Sequence, residues 1–334
     1  HKAMKNLSLG IDTSNYKTSV AVTNDEGRIL FQKSEYLDVE KGERGLRQSV
    51  AFFKQSNALP AMLTEAFEAV DSRDIRVIAV SDRPRRVEGS YMPVFLAGIN
   101  AAETLAGALD VPVYRFSHQE GHIEAVLSTS NISEPSKWIM YHLSGGTTEI
   151  LLCERRMLGF QVQKIGGTYD ISFGQLLDRV GVKMGYKFPS GGFLDELAYD
   201  SELPVIPSRI KNVDGGFNLS GLETEILRQV GPGKEGSDII PGLFYRISQL
   251  LFETAIDLSR MYCVRNIYMA GGVASSKTVR WNISKMYDAY MDKCGKDDYK
   301  NFEIIWGDRR LSGDNAVGIS LLGGKTDHAW SNYR

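Results

Sequence analysis

Apolar and polar positions alternate in blocks at the start of the chain. The apolar runs LSLGI, SVAV and RILFQ are separated by the polar turns DTSNYKT and NDEG, which predicts a β-meander over Asn6 to Leu37. Helical spacing follows from about Gly45 to Val70, then a buried strand RVIAVS, a helix from about Pro93 to Leu109, a strand VPVYRF and a helix beginning near Ser117. These elements make one α/β lobe. The pattern then begins again: KWIMYHLS reads as a strand, GGTTE as a tight turn and ILLCE as a returning strand, with later helices alternating with the strands RNIYMA and FEIIWG. The unit DTSNYKTSVAV is answered by SGGTTEILL, one per lobe, which suggests an internal duplication; two unrelated hairpins satisfy the same pattern. Asp195 to Gly236, rich in glycine and polar residues, reads as inserted loops around a short helix. The expected division is an N-terminal lobe over 4–130 and a C-terminal lobe over 131–325.

Length and composition agree with two lobes. The 334 residues exceed one typical domain and suffice for two cores with a ligand cleft between them. With 43% apolar and 24% charged residues, the composition is that of a globular α/β enzyme and excludes a disordered or fibrous chain. A formal net charge of −2 provides no general field for nucleic acid, so such contacts would need local patches. No apolar run approaches the roughly 20 residues that span a bilayer, and the start HKAMKNLSLG lacks the apolar core of a signal peptide, so a cytoplasmic protein is expected, with no membrane partner. Cys153, Cys263 and Cys294 show no CxxC spacing and fall in or beside apolar runs, which predicts buried free thiols.

The sharpest chemical signal is SHQEGHIEAVL. His118 and His122 stand at i and i+4 on one helix face, where two imidazoles can share a cation. Two unrelated surface histidines fit the spacing equally well, and Gly121 between them weakens the helix. A zincin protease would carry glutamate directly after the first histidine; here that position is Gln119, and Glu120 points off the shared face. Asp314, in SGDNA, opens an apolar helix and is by default a cap. Glycine turns at Ser144-Gly145-Gly146-Thr147, Pro189-Ser190-Gly191-Gly192 and Gly271-Gly272 allow a backbone to approach a phosphate closely. No P-loop or GxGxxG follows a strand. Asp12, at the head of a hydroxyl-rich turn, is placed to hold magnesium through water and is also an ordinary turn residue.

In order along the chain, GIDTSNYKTSVAV, VPVYRFSHQEGHIEAVL, YHLSGGTTEILL, FGQLLDRVGVKMGYKFPSGG, FNLSGLET, MAGGVASSKTV and SGDNAVG resemble the tRNA threonylcarbamoyladenosine synthases, long described as O-sialoglycoprotein endopeptidases. The resemblance spans roughly Leu7 to Lys325. It implies the actin-like ATPase fold shared with sugar kinases and chaperone ATPases, two similar lobes around a nucleotide cleft. It implies that His118, His122 and Asp314 ligate one divalent transition metal, iron or zinc, beside an ATP- or AMP-type nucleotide, with magnesium as a further cation. His142, Leu143, Ser144, Gly145, Gly146 and Thr147 match the phosphate-wrapping hairpin. Asp178 and Gly191 match positions that hold ribose or substrate, and Gly271, Gly272 and Ser276 match the adenosine-side turn; Asp12 and Asp178 are the catalytic candidates. The implied reaction is attack by an adenosine amine of tRNA on threonylcarbamoyl-AMP, with AMP leaving. The implied partners are tRNA, the adenylate, a smaller degenerate homologue and a small ATPase.

Departures from the family pattern accompany this likeness. Thr147 replaces the usual histidine of SGGHT, Gln175 the usual glutamate before LLDR, and Ser276 the usual asparagine. SDRPRRVEGSYMP stands where a glycine-rich stretch is common. A paralogous carbamoyl-type transferase with another acceptor, or an ATPase or kinase of this fold, is the alternative reading. Arg83, Arg85 and Arg86, with Arg44 and Arg47 near them, form a basic cluster suited to tRNA phosphates or simply solvated. Tyr91 and Phe95 read as core or interface.

Overall fold

A computed structural model describes residues 5–14, 17–37, 47–90, 92–130, 133–294, 301–308 and 315–333. Arg44, Tyr91 and Asp314 therefore lie outside the described residues. The chain forms two compact units, one of residues 1–132, 156–160 and 310–334, the other of 133–155 and 161–309.

The first unit is built on a five-stranded sheet of order β3-β2-β1-β4-β5. Its strands are β1 (Leu7–Thr13), β2 (Lys17–Asn24), β3 (Ile29–Tyr36), β4 (Ile75–Arg83) and β5 (Val113–Ser117). β1 and β2 pair antiparallel, as do β2 and β3, giving the expected meander, while β4 runs parallel to β1 and β5 parallel to β4. Alternation sorts β1 into two faces. Leu9 and Ile11 join Val20, Val22, Ile78 and Val80 in a core with α1 (Gln48–Ala69) and α2 (Leu96–Leu109). Full burial of each such side chain contributes about 1.5–3 kcal/mol. Phe95, 2% exposed, belongs to this core.

The opposite face carries small residues. A Cβ on Gly10 would lie 2.4 Å from Ala316 O, so glycine there allows α9 (Asn315–Ser331) to rest directly on the sheet. Residues 310–334 thus cluster with the first unit, a return that a single boundary near 130 does not contain.

The second unit repeats the design. Its six-stranded sheet has the order β11-β10-β6-β7-β8-β9, with β6 (Lys137–Leu143), β7 (Thr148–Arg155), β8 (Phe160–Thr168), β9 (Gly216–Phe217), β10 (Asn266–Ala270) and β11 (Glu303–Trp306). β6 and β7 pair antiparallel, and β10 runs parallel to β6 and β11 to β10. The order 8-7-6-10-11 repeats 3-2-1-4-5, so the duplication seen in the two hairpins extends to whole sheets. Ile139, Tyr141 and Leu143 pack with α4 (Phe173–Lys183), α5 (Gly191–Ala198), α6 (Ser220–Gln229), α7 (Ile240–Tyr262) and α8 (Lys277–Cys294).

The thiols divide. Cys153 is buried, and burial pushes its thiol well above the usual range. Cys263 is exposed because it caps α7 in the left-handed region at φ 52°, correcting the expectation of burial. Cys294 is intermediate. Among the described residues, no helix is long and apolar enough to cross a membrane.

Candidate functional site

In the first unit the histidine helix α3 (His118–Ser128) starts directly after β5 through a capping box. Ser117 Oγ accepts from Glu120 N at 3.2 Å, and Glu120 Oε1 accepts from Ser117 N at 2.9 Å. Glu120 Oε1 also takes Ser117 Oγ–H at 2.9 Å and Arg86 Nε–H at 2.6 Å, while Oε2 takes Phe160 N–H at 3.0 Å. A carboxylate so fully committed, 1% exposed, is a structural group and not a protease base. The same contacts revise the basic cluster: Arg86 is paired with Glu120 and Arg83 with Asp82, so these two guanidinium groups already have carboxylate partners. Arg47 stands at the N-cap of α1.

His118 is one-third exposed and His122 is buried one turn further along α3. Asp12 is fully buried, and its Oδ1 and Oδ2 lie 2.9 and 3.1 Å from His118 Nδ1. The aspartate expected to hold magnesium through water, or to serve the turn, is a carboxylate set against an imidazole. Asn315 Nδ2 donates to His118 O at 2.9 Å and lies 3.1 and 3.2 Å from the two ring nitrogens. An atom nearly equidistant from both nitrogens sits over the ring face, because an in-plane position would collide with Cε1.

Gly121 explains how α9 reaches the histidines. A Cβ there would lie 2.8 Å from Ile319 Cγ1 and 2.9 Å from Asn315 O, and one on Gly318 would lie 1.7 Å from Gly121 O. The glycine that weakens α3 in isolation is what admits Asn315 to His118. Sequence inspection missed Asn315 and this glycine pair; a second glycine in the C-terminal helix was the available signal.

In the second unit three turns converge around a cavity of about 410 Å³ whose walls include Gly145, Gly174, Asp178, Gly191, Gly192, Gly272 and Ser276. Some glycines are required by packing: a Cβ on Gly174 would meet Gly145 Cα at 2.3 Å, and one on Gly271, at φ 106°, would meet Leu143 O at 2.2 Å. Others are not. A Cβ on Gly145, Gly146, Gly192 or Gly272 would meet nothing within 4 Å, and none of these four has a positive φ. The hairpin is braced by Ser144 N–H to Thr147 O at 2.9 Å, Thr147 N–H to Ser144 Oγ at 3.0 Å and Val273 N–H to Leu143 O at 3.0 Å. His142 faces Glu149 across the strands, with Nδ1 and Oε1 3.5 Å apart.

The polar candidates here also hold the walls together. Asp178 Oδ1 accepts from Ser190 N at 2.8 Å and Gly191 N at 3.2 Å, fixing the turn that opens α5. Ser276 Oγ donates to Asp195 Oδ1 at 2.6 Å and accepts from Val279 N at 3.1 Å. Asp195, which the sequence did not single out, also accepts from Lys277 N at 2.9 Å and Thr278 N at 3.0 Å, capping α8 across space. Gln175 completes a capping box with Ser172 at the start of α4, a task glutamate or glutamine performs equally.

The structural likeness is broad. The T. kodakarensis HypF crystal structure superposes with a TM-score of 0.60 at 14% identity over 98% of this chain, which spans about half (49%) of HypF. A ROK family glucokinase from Streptomyces griseus, solved with glucose and AMPPNP, gives 0.50 at 14% identity over 95% of this chain and 99% of that one. At these identities the likeness establishes the actin-like ATPase fold alone. By sequence, the tRNA N6-adenosine threonylcarbamoyltransferase of Neorickettsia sennetsu is 29% identical over 282 residues, 82% of each chain. A probable bifunctional tRNA threonylcarbamoyladenosine biosynthesis protein of Methanothermobacter thermautotrophicus is 29% identical over 324 residues, 95% of this chain and 55% of that protein. Residues 38–295 match the family model TsaD, tRNA N6-adenosine threonylcarbamoyltransferase, and the chain belongs to that family.

Proposed function

We propose that this protein transfers a threonylcarbamoyl group from threonylcarbamoyl-AMP to the exocyclic amine of an adenosine in tRNA. The observation that carries the reading is the set of glycines at Gly145, Gly146 and Gly272, which neither packing nor backbone conformation requires. Such bare backbone suits close approach of a phosphate, whose charge the amides of these turns would meet. In this reading His142 to Thr147 wrap the adenylate phosphates from one side and Gly271, Gly272 and Ser276 face the adenosine. Asp178 uses Oδ1 to hold Gly191 in place, and its Oδ2, which takes no hydrogen bond from the described residues, receives a ribose hydroxyl.

Two imidazoles one helical turn apart form a donor set suited to iron or zinc. No group of three or more His, Cys, Asp or Glu side chains with metal-holding geometry occurs among the described residues. In this reading Asp314, which precedes Asn315 in the sequence, completes the set. When bound, the metal would polarise the transferred carbonyl and stabilise the developing oxyanion. The amine nitrogen forms the new bond to that carbonyl carbon while the bond to the AMP phosphate oxygen breaks; the amine proton is lost and AMP departs. A smaller homologue, a small ATPase and a cytoplasmic setting belong to this same proposal.

The test is expression in a cell depleted of its own synthase, followed by mass spectrometry of nucleosides from digested tRNA. Threonylcarbamoyladenosine should reappear. Its absence from cells that contain soluble, folded protein would overturn the reading.

A further inference from the structure

We propose that Phe188 and Phe193 form a stacking platform for an unpaired base of the acceptor RNA, next to the adenosine that is modified; the inference rests on the proposed transfer to tRNA. The segment from Tyr186 to Phe193 reads YKFPSGGF. Its middle belongs to the cavity of the second unit, whose walls include Pro189, Gly191 and Gly192. Asp178 Oδ1 fixes that middle by accepting from Ser190 N at 2.8 Å and Gly191 N at 3.2 Å. The two phenylalanines flank it in the chain, and neither is among the cavity walls. Phe188 is 74% exposed and Phe193 44%. Phe193 is held in place by Tyr186, with ring centroids 5.2 Å apart and planes 11° from parallel.

A single exposed apolar side chain needs no explanation. Here three aromatic rings fall within one short segment, on both sides of residues that line a ligand cavity. The chemistry of the acceptor supplies the reason. An exocyclic amine cannot attack while its base is paired and stacked inside a helix, so the adenosine and its neighbours must arrive as single strand. Bases that have left their stack regain it on aromatic faces, which accept any base because every base has a flat π surface. Lys187, exposed and set between Tyr186 and Phe188 in the chain, places a positive charge beside the rings for a backbone phosphate. A second copy of this chain fits the ledge less well, since a two-fold pairing through it would bring each Lys187 toward its like-charged mate.

The experiment measures binding of an unmodified tRNA transcript to the full-length protein by fluorescence anisotropy over a series of salt concentrations, with AMP affinity and melting temperature recorded in parallel. Phe188→Ala should weaken tRNA binding about tenfold and leave the salt dependence, AMP affinity and melting temperature at wild-type values. Phe188→Trp, which keeps a flat ring, should retain tRNA affinity, and Phe188→Leu, which keeps only apolar bulk, should not. Lys187→Ala should instead lower the salt slope by about one. Wild-type tRNA affinity in Phe188→Ala with Phe193→Ala overturns the proposal; if sedimentation shows that the same variant has lost self-association, the ledge belongs to a second copy. Loss of AMP binding in Phe188→Ala also overturns it, because the ring would then serve the cavity. Failure of the wild-type protein to bind AMP would overturn the transferase reading beneath it.

Discussion

The two units use one strand order for opposite chemistries. At the end of β1 the first unit gathers side chains: a buried aspartate, two imidazoles and an asparagine, held by glycines that packing demands. At the equivalent end of β6 the second unit removes side chains, leaving Gly145 and Gly146 with open space above them. A glycine therefore has two meanings in this molecule. Where a Cβ would strike backbone, as at Gly10, Gly121 and Gly318, glycine serves the fold; where a Cβ would meet nothing beside the cavity, as at Gly145, Gly146 and Gly272, the fold does not require it.

That contrast can be broken by substitution. Gly318→Val puts a side chain on Gly121 O and should destabilise the protein by about 3 kcal/mol, read as a lower urea midpoint with loss of bound metal. Gly145→Val should leave the unfolding free energy within about 0.5 kcal/mol of wild type yet weaken AMP binding about tenfold or more, roughly 1.4 kcal/mol. A large loss of stability there would erase the distinction between the two kinds of glycine.

A smaller effect tests a purely structural carboxylate. Asp170 accepts from Leu219 N at 2.8 Å and Ser220 N at 3.0 Å at the start of α6. Burial raises its pKa, but these N–H bonds outweigh burial and hold the carboxyl well below the usual range. A depressed folded pKa gives stability that is present above the unfolded value of about 3.9 and is lost as pH falls toward the folded value. Asp170→Asn should therefore flatten the acid limb of the stability profile below about pH 4, with little change in nucleotide or metal affinity. An unchanged acid limb would show that the cap does not contribute.

Much of the fold was legible because hydrophobic period survives in the sequence. The meander, the restart at Lys137 and the strands ending at Ala270 and Trp306 were all visible as apolar runs. β8 was not, since its exposed and half-buried positions interrupt the apolar run. The return of α9 to the first unit was hidden for another reason: it depends on Gly10, Gly121 and Gly318 meeting across some 300 residues, which no local pattern records. The histidine pair was legible from spacing, but its neighbours were not. Asp12 read as a magnesium-holding or ordinary turn residue because strand register, which buries it beside His118, is a tertiary property. Asp195 was invisible because it caps a helix that begins 82 residues later.

The most direct test of the account is a crossed binding measurement on two variants. Calorimetry would follow Co2+ binding without nucleotide and AMP binding in metal-free buffer, for His118→Ala with His122→Ala and for Gly145→Val with Gly272→Val. The account predicts that the histidine variant loses Co2+ and keeps AMP, and that the glycine variant loses AMP and keeps Co2+. Retention of both ligands by either variant would contradict it.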